Sequence, residues 1–260
     1  MKRLLSFLTV LLLLIPTAVD ASSTRVNNIG ITCQIDQNGT ATFVEKWDMD
    51  VSEGTEGYKI FNGMNDQPLT LIGVTDDRGV TYKNIGTWDS DVSRESKINK
   101  CGLIKDGGHY ELCFGLGDYG TRSYTMVYQI EHFVNQYKDQ QGINYAFISD
   151  MSLDVADVTI HVTGMTPYSK ENAKIWAFGY SGCVNFDNGG VTLKTDSLGS
   201  NKMQLLMGLE SNSYTSPNKR HASEKYRLTL NSKARLLDTV GYLNKNIRNT
   251  TDAGKVYLHY

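Results

Sequence analysis

Residues 124–137 read YTMVYQIEHFVNQY, and this stretch decides the fold class. From Tyr124 to Ile130 the side chains alternate, with Tyr124, Met126, Tyr128 and Ile130 on one side and Thr125, Val127 and Gln129 on the other. A period of two with aromatic and β-branched filling marks a β-strand. The stretch sits mid-chain between two Gly-containing halves, and strand-like runs continue in both directions from it.

Towards the N-terminus, His109 to Gly115 is a strand, joined to the central one by the Gly115–Gly120 turn GLGDYG. Those glycines do not stand between a strand and a helix, as a phosphate loop requires. Leu69–Asp76 and Val80–Ile85 flank Asp77-Arg78-Gly79 as a hairpin, and Ile29–Ile35 and Thr40–Trp47 flank the Asn-Gly turn of Asp36-Gln37-Asn38-Gly39 as another. The second of these strands puts Ala41, Phe43, Glu45 and Trp47 on one face, so a carboxylate stands among apolar residues. Residues 48–63 read as an acidic loop. Asp48, Asp50, Ser52 and Glu53 offer oxygens for calcium, but Glu53 stands where an EF-hand needs its glycine. Residues 86–100 are expected to be loop, with Trp88 inside it as either an exposed contact residue or a lid over the core edge.

Towards the C-terminus, Ile143–Ile148, Val158–Val162, Lys174–Tyr180, Cys183–Phe186, Val191–Lys194 and Met203–Leu209 are strand-like, and Glu224–Leu230 is a candidate last strand. Only residues 236–247, with Leu236, Leu237, Val240, Leu243 and Ile247 on one face, carry a helical period. The expected architecture is an all-β, Ig-like or related β-sandwich over residues 22–230, followed by a short helical or irregular appendage at 231–260.

Ahead of this domain, Lys2 and Arg3 precede an apolar run from Leu4 to Ile15, and Val19-Asp20-Ala21 offers a peptidase site, so residues 1–21 read as a secretory signal peptide. An uncleaved N-terminal anchor is the other reading, since the run is only a little shorter than the ~20 residues of a spanning helix. The whole chain carries a formal charge of −2. Removing Lys2, Arg3 and Asp20 with the leader changes it by one, to −3. No basic field remains, which disfavours nucleic-acid binding. The four cysteines, Cys33, Cys101, Cys113 and Cys183, suit disulfides in an exported chain. A bridge from Cys101 to Cys113 across a short Gly-containing loop is favoured, which leaves Cys33 with Cys183. Their wide spacing, with no CxxC, does not make a zinc pattern.

Several segments in order resemble the DUF2207 family, the N-terminal extracellular domain of predicted bacterial membrane proteins. They are Asp36-Gln37-Asn38-Gly39-Thr40, Val44-Glu45-Lys46-Trp47, Tyr124-Thr125-Met126-Val127-Tyr128, Tyr137-Lys138-Asp139 and Lys174-Ile175-Trp176-Ala177-Phe178-Gly179. The resemblance implies a β-sandwich-like ectodomain held at the cell surface, and it brings no family active site. Members usually continue into membrane-spanning segments. This chain has no run of 18 apolar residues after Leu230, so either it continues beyond Tyr260, or this member is a released form, or the N-terminal segment anchors it.

The five histidines are scattered, with neither HExxH nor GxSxG in the chain. No catalytic residue, cofactor or metal site is assigned. His132, beside Glu131, and Glu45 are the groups that a hydrolase would use. Fifteen tyrosines and three tryptophans in a nearly neutral β domain suit contact with a protein or a glycan, and Trp88, Tyr119 and Tyr137 are the surface-binding candidates. The expected role is a non-catalytic cell-envelope interaction domain; the alternative is a secreted hydrolase acting on glycan or peptidoglycan.

Overall fold

In a computed structural model of the chain, residues 24–149, 151–199 and 202–226 are described. The signal-peptide segment, most of the candidate last strand and the C-terminal appendage lie outside them. The strands are β1 (Arg25–Ile35), β2 (Ala41–Val51), β3 (Glu56–Phe61), β4 (Leu69–Asp76), β5 (Lys83–Thr87), β6 (Lys100–Asp106), β7 (His109–Gly115) and β8 (Gly120–Ile130). They continue as β9 (Asn135–Gln136), β10 (Gln141–Ile148), β11 (Val155–Thr163), β12 (Ala173–Phe178), β13 (Cys183–Asp187), β14 (Gly190–Thr195) and β15 (Met203–Leu209). One turn of helix, α1 (Arg94–Lys97), lies between β5 and β6 and is capped by the Ser93 hydroxyl.

The chain folds as an all-β sandwich. One layer is a seven-stranded sheet in the order β13-β14-β11-β1-β2-β8-β4, in which β1 and β11 run parallel and the other pairs antiparallel. The other layer is two four-stranded sheets, β3-β7-β6-β5 and β12-β15-β10-β9. β8 is central, as its alternation requires: Tyr124, Met126, Tyr128 and Ile130 are buried while the residues between them are partly exposed. Phe43 and Trp47 of β2 lie opposite Tyr128 and Tyr124, so four large rings share one face. Both minor sheets close on that face. Phe114 of β7 packs on Trp47 and Tyr124, Phe61 of β3 on Tyr128, and Phe147 of β10 on Phe43. Large rings in edge and offset contact contribute both buried area and fixed geometry to such a core.

The expected acidic loop at residues 48–63 is mostly strand. In β2 the alternation of Asp48, Met49, Asp50 and Val51 turns Met49 and Val51 inward. The outward carboxylates are engaged: Asp48 by Lys46, Asn28 and Ser123, and Asp50 by Arg25, Asn27 and Thr121. Both acids are held below their usual range, Asp50 by its side-chain hydrogen bonds, led by that from Asn27, and Asp48 by Lys46, Ser123 and Asn28 against burial, which alone would raise it. These groups stabilise a sheet surface; they do not form a calcium loop. β3 follows, with Gly57, Lys59 and Phe61 buried.

The disulfide expectation is corrected by the register. All four cysteines are free thiols. Cys101 lies opposite Phe114, and Cys113 lies opposite Gly102. Opposed residues share a face and successive residues alternate, so the two cysteines point to opposite sides of the β6–β7 hairpin. Cys33 on β1 and Cys183 on β13 are separated by β11 and β14. Three strand steps of ~4.8 Å put their backbones about 14 Å apart, well beyond the ~7 Å that a disulfide bridges.

Candidate functional site

The feature that organises the interior is a buried ion pair. Glu45 is 0% exposed. Its Oε1 accepts from Trp47 Nε1 at 2.7 Å and from Lys59 Nζ at 3.0 Å, and its Oε2 accepts from Tyr128 Oη at 2.7 Å. Lys59 also donates to the Phe147 carbonyl at 2.8 Å. That carbonyl is available because Phe147 sits at the irregularity between Ala146 and Ile148, where β10 loses register with β15. One lysine therefore ties the seven-stranded sheet to β10 of one minor sheet from β3 of the other.

β3 is the end strand of its sheet, and β9 covers β10 only at Gln141 and Gly142. The minor sheets thus face one another along two strand edges that are not paired together, and two clefts open along that seam. One, of about 260 Å³, is polar and is walled by the end of β3, by β9 and β10, and by residues 218–221. The other, of about 350 Å³, is lined by Trp47, Met49, Tyr58, Leu116 and Met151 among others. Ile60 and Ser149 line both, so the clefts lie end to end.

Of the three aromatic candidates, Tyr119 is 44% exposed; its hydroxyl donates to the Gly54 carbonyl and the Arg94 guanidinium lies over its ring. The other two are corrected. Trp88 is 4% exposed, and its indole N–H is bound by Glu56, which also pairs with Lys97 at 3.1 Å. Trp88 is a lid over the core edge. Tyr137 is 2% exposed, packed edge-on against Tyr226 and stacked with His221. Its ring is therefore not a surface platform, although Tyr137 lines the polar cleft and burial pushes its hydroxyl up to about 12.

The groups considered for hydrolysis do not converge. Glu45 is enclosed with both oxygens occupied, while His132 sits in a left-handed turn at φ 52° with Nδ1 3.3 Å from the Ser216 carbonyl. Among the described residues, no group of three or more His, Cys, Asp or Glu is arranged to hold a metal ion. Sequence reasoning missed Lys59 and the amide side chains around the polar cleft. The alternation of EGYKIF could have exposed the first. Nothing in the spacing of Gln67, Asn135, Asn144 and Asn218 could have shown that they meet.

The family model described as "Predicted membrane protein (DUF2207) N-terminal domain" matches residues 25–203. No curated protein matches the chain. Among solved structures, native yeast LTA4 hydrolase is 7% identical with a TM-score of 0.45, the alignment covering 72% of this chain and 29% of that one. The M1 zinc metallopeptidase of Deinococcus radiodurans is 11% identical with a TM-score of 0.39, covering 72% of this chain and 42% of that one. The chain spans less than half the length of either. Among the described residues no helix is long and apolar enough to cross a membrane.

Proposed function

The chain belongs to the DUF2207 family, and on that footing we propose that it is a non-catalytic, exported domain held at the cell surface that binds an envelope protein or glycan. The family's description as the N-terminal domain of predicted membrane proteins supports association with a membrane. The signal-like segment at residues 1–21 supports export. The observation that carries the binding role is the seam between β3 and β10, where two clefts open to solvent over a rigid, aromatic-filled floor. Binding sites favour concave places where elements meet and where a few polar groups converge. Enclosure of Glu45 takes away the carboxylate on which the hydrolase reading leaned.

The test is surface crosslinking of the tagged native protein in intact cells, followed by separation of medium from membranes. The reading predicts recovery from the membrane fraction with a defined crosslinked envelope component. Recovery as free, uncrosslinked protein in the medium would overturn it.

A further inference from the structure

We propose that the polar cleft at the end of β3 is a binding site for a short neutral saccharide, an inference that rests on reading the domain as a binding module. The cleft holds polar side chains that the fold leaves unused. Asn135 is 9% exposed, yet its amide has no hydrogen-bond partner among the described side chains and backbone. Tyr137 and Tyr145 also line it. Asn144 accepts at Oδ1 from Gln204 and so leaves its Nδ2 group to the cleft. Gln67 donates from Nε2 to the His132 carbonyl and leaves its Oε1. These side chains line the cleft with hydrogen-bonding capacity to spare.

The chemistry of this lining selects its ligand. An amide presents donors and an acceptor, and a phenol presents both from one atom, which matches neighbouring hydroxyls that each donate and accept. The Tyr137 phenol keeps its proton at neutral pH, as any tyrosine does. The charged groups at the rim are of mixed sign. Asp66 faces Arg220 at 3.9 Å, and His221 Nδ1 lies 3.0 Å from Glu224. No cluster of like charges marks this rim for an ionic ligand. The His221 ring lies nearly parallel to Tyr137, with 34% of its side chain exposed, and offers a flat outer face beside the amides.

Addition of an extended peptide to β10 is a poorer match. Strand addition needs a run of free backbone groups. Along β10 that run is short, because β9 covers Gln141 and Gly142, Tyr226 Oη donates to the Ile143 carbonyl and Lys59 takes the Phe147 carbonyl. Only residues 144–146 remain, at the lower limit of strand length. The volume of about 260 Å³ suits a compact ligand.

The experiment uses the full chain as exported and purified. Saturation-transfer NMR is recorded against tetramers of N-acetylglucosamine, glucose in α- and β-linkages, and mannose, with a pool of unstructured decapeptides in parallel. Binding of any positive tetramer is then titrated for Asn135→Ala and Asn144→Ala, with Ile72→Ser on the remote sheet edge as control. The proposal expects at least one neutral tetramer to give saturation transfer, and expects Asn135→Ala and Asn144→Ala each to weaken it about tenfold at unchanged melting temperature. Ile72→Ser should leave affinity unaltered. Silence from every tetramer overturns the saccharide assignment, as does tetramer binding that ignores both cleft variants. Peptide binding that the cleft variants abolish also overturns the saccharide, while leaving the binding module intact. Failure of the module itself is read separately, from the absence of any surface crosslink.

Discussion

Replacing Lys59 by Met tests the interior most sharply. The substitution keeps most of the aliphatic stem but removes the ammonium that contacts Glu45 Oε1 at 3.0 Å and the Phe147 carbonyl at 2.8 Å. Glu45, with no exposed surface, would then be left with only the Trp47 and Tyr128 donors. Removing one member of a buried ion pair costs ~3–5 kcal/mol, most of it from the charge left behind. At ~2–4 °C per kcal/mol for a domain of this size, ~4 kcal/mol lowers the melting temperature by roughly 8–16 °C. Urea unfolding followed by tryptophan fluorescence is the assay, because Trp47 lies in the network. The decisive comparison is Glu45→Gln with Lys59→Met: the glutamine oxygen can still accept from Trp47 while its amide donates to the Tyr128 hydroxyl oxygen, and no isolated charge remains. The double variant should therefore be more stable than Lys59→Met alone by about 2 kcal/mol, within the range of coupled neighbours. A Lys59→Met protein within ~1 kcal/mol of the parent, or a double variant less stable than the single, would refute the reasoning.

Other expectations follow from the same structure. Asp76 has a fully buried carboxylate bound by the Val80 and Arg78 amides and by the guanidinium groups of Arg78 and Arg122. Burial alone would raise its pKa, but these bonds prevail and hold it below the usual carboxylate range. Its contribution, about 2–3 kcal/mol, is therefore present above the unfolded value near ~3.9 and is lost as pH falls through the lower folded value. The stability gap between parent and Asp76→Asn should be full at pH 7 and close below about pH 4; a gap independent of pH would contradict this. Burial raises the thiols of Cys101 to about 11 and Cys113 to about 12, and Cys33 is fully enclosed. Iodoacetamide without reductant should therefore label Cys183 first in the folded protein and all four cysteines in urea; intact mass showing fewer than four labels in urea would mean a disulfide. A Cβ at Gly115 would collide with the Lys97 carbonyl, so Gly115→Ala should destabilise the fold by at least ~1–3 kcal/mol in the same urea assay, while Gly63→Ala, which meets no neighbouring atom but has φ 74°, should carry only the backbone strain.

How far the sequence reveals this molecule depends on the range of each interaction. The alternation in Tyr124–Ile130 and in Ala41–Trp47 is a local signal, and both strands pair where their apolar faces require. Glu45 could be placed on one face with Trp47, but its partner could not be found, because Asp48, Asp50, Glu53 and Glu56, ahead of and at the start of β3, made residues 48–63 look like a solvated loop. Those acids turn outward while Met49, Val51, Lys59 and Phe61 turn in, which becomes visible only once strands and not net polarity are assigned. The cysteines failed for a related reason. Twelve positions separate Cys101 from Cys113, and loop length alone favours a bridge, but hairpin register sets them on opposite faces. Trp88 and Tyr137 are buried by contacts from distant segments, Glu56 for one and residues 221 and 226 for the other, and no local pattern announces these. The polar cleft likewise draws on residues between 60 and 221, so composition could suggest a binder while the place of binding needed the fold.

The claim at the centre of this account is that the seam between β3 and β10 faces a ligand at the cell surface. A photoreactive diazirine amino acid placed at position 144 in the cleft, and in a second protein at position 72 on the exposed edge of β4, tests it directly in intact cells. An envelope-derived adduct is expected from position 144, recovered with membranes, and none of that mass from position 72. Equal labelling from both positions, or none from position 144, would contradict it.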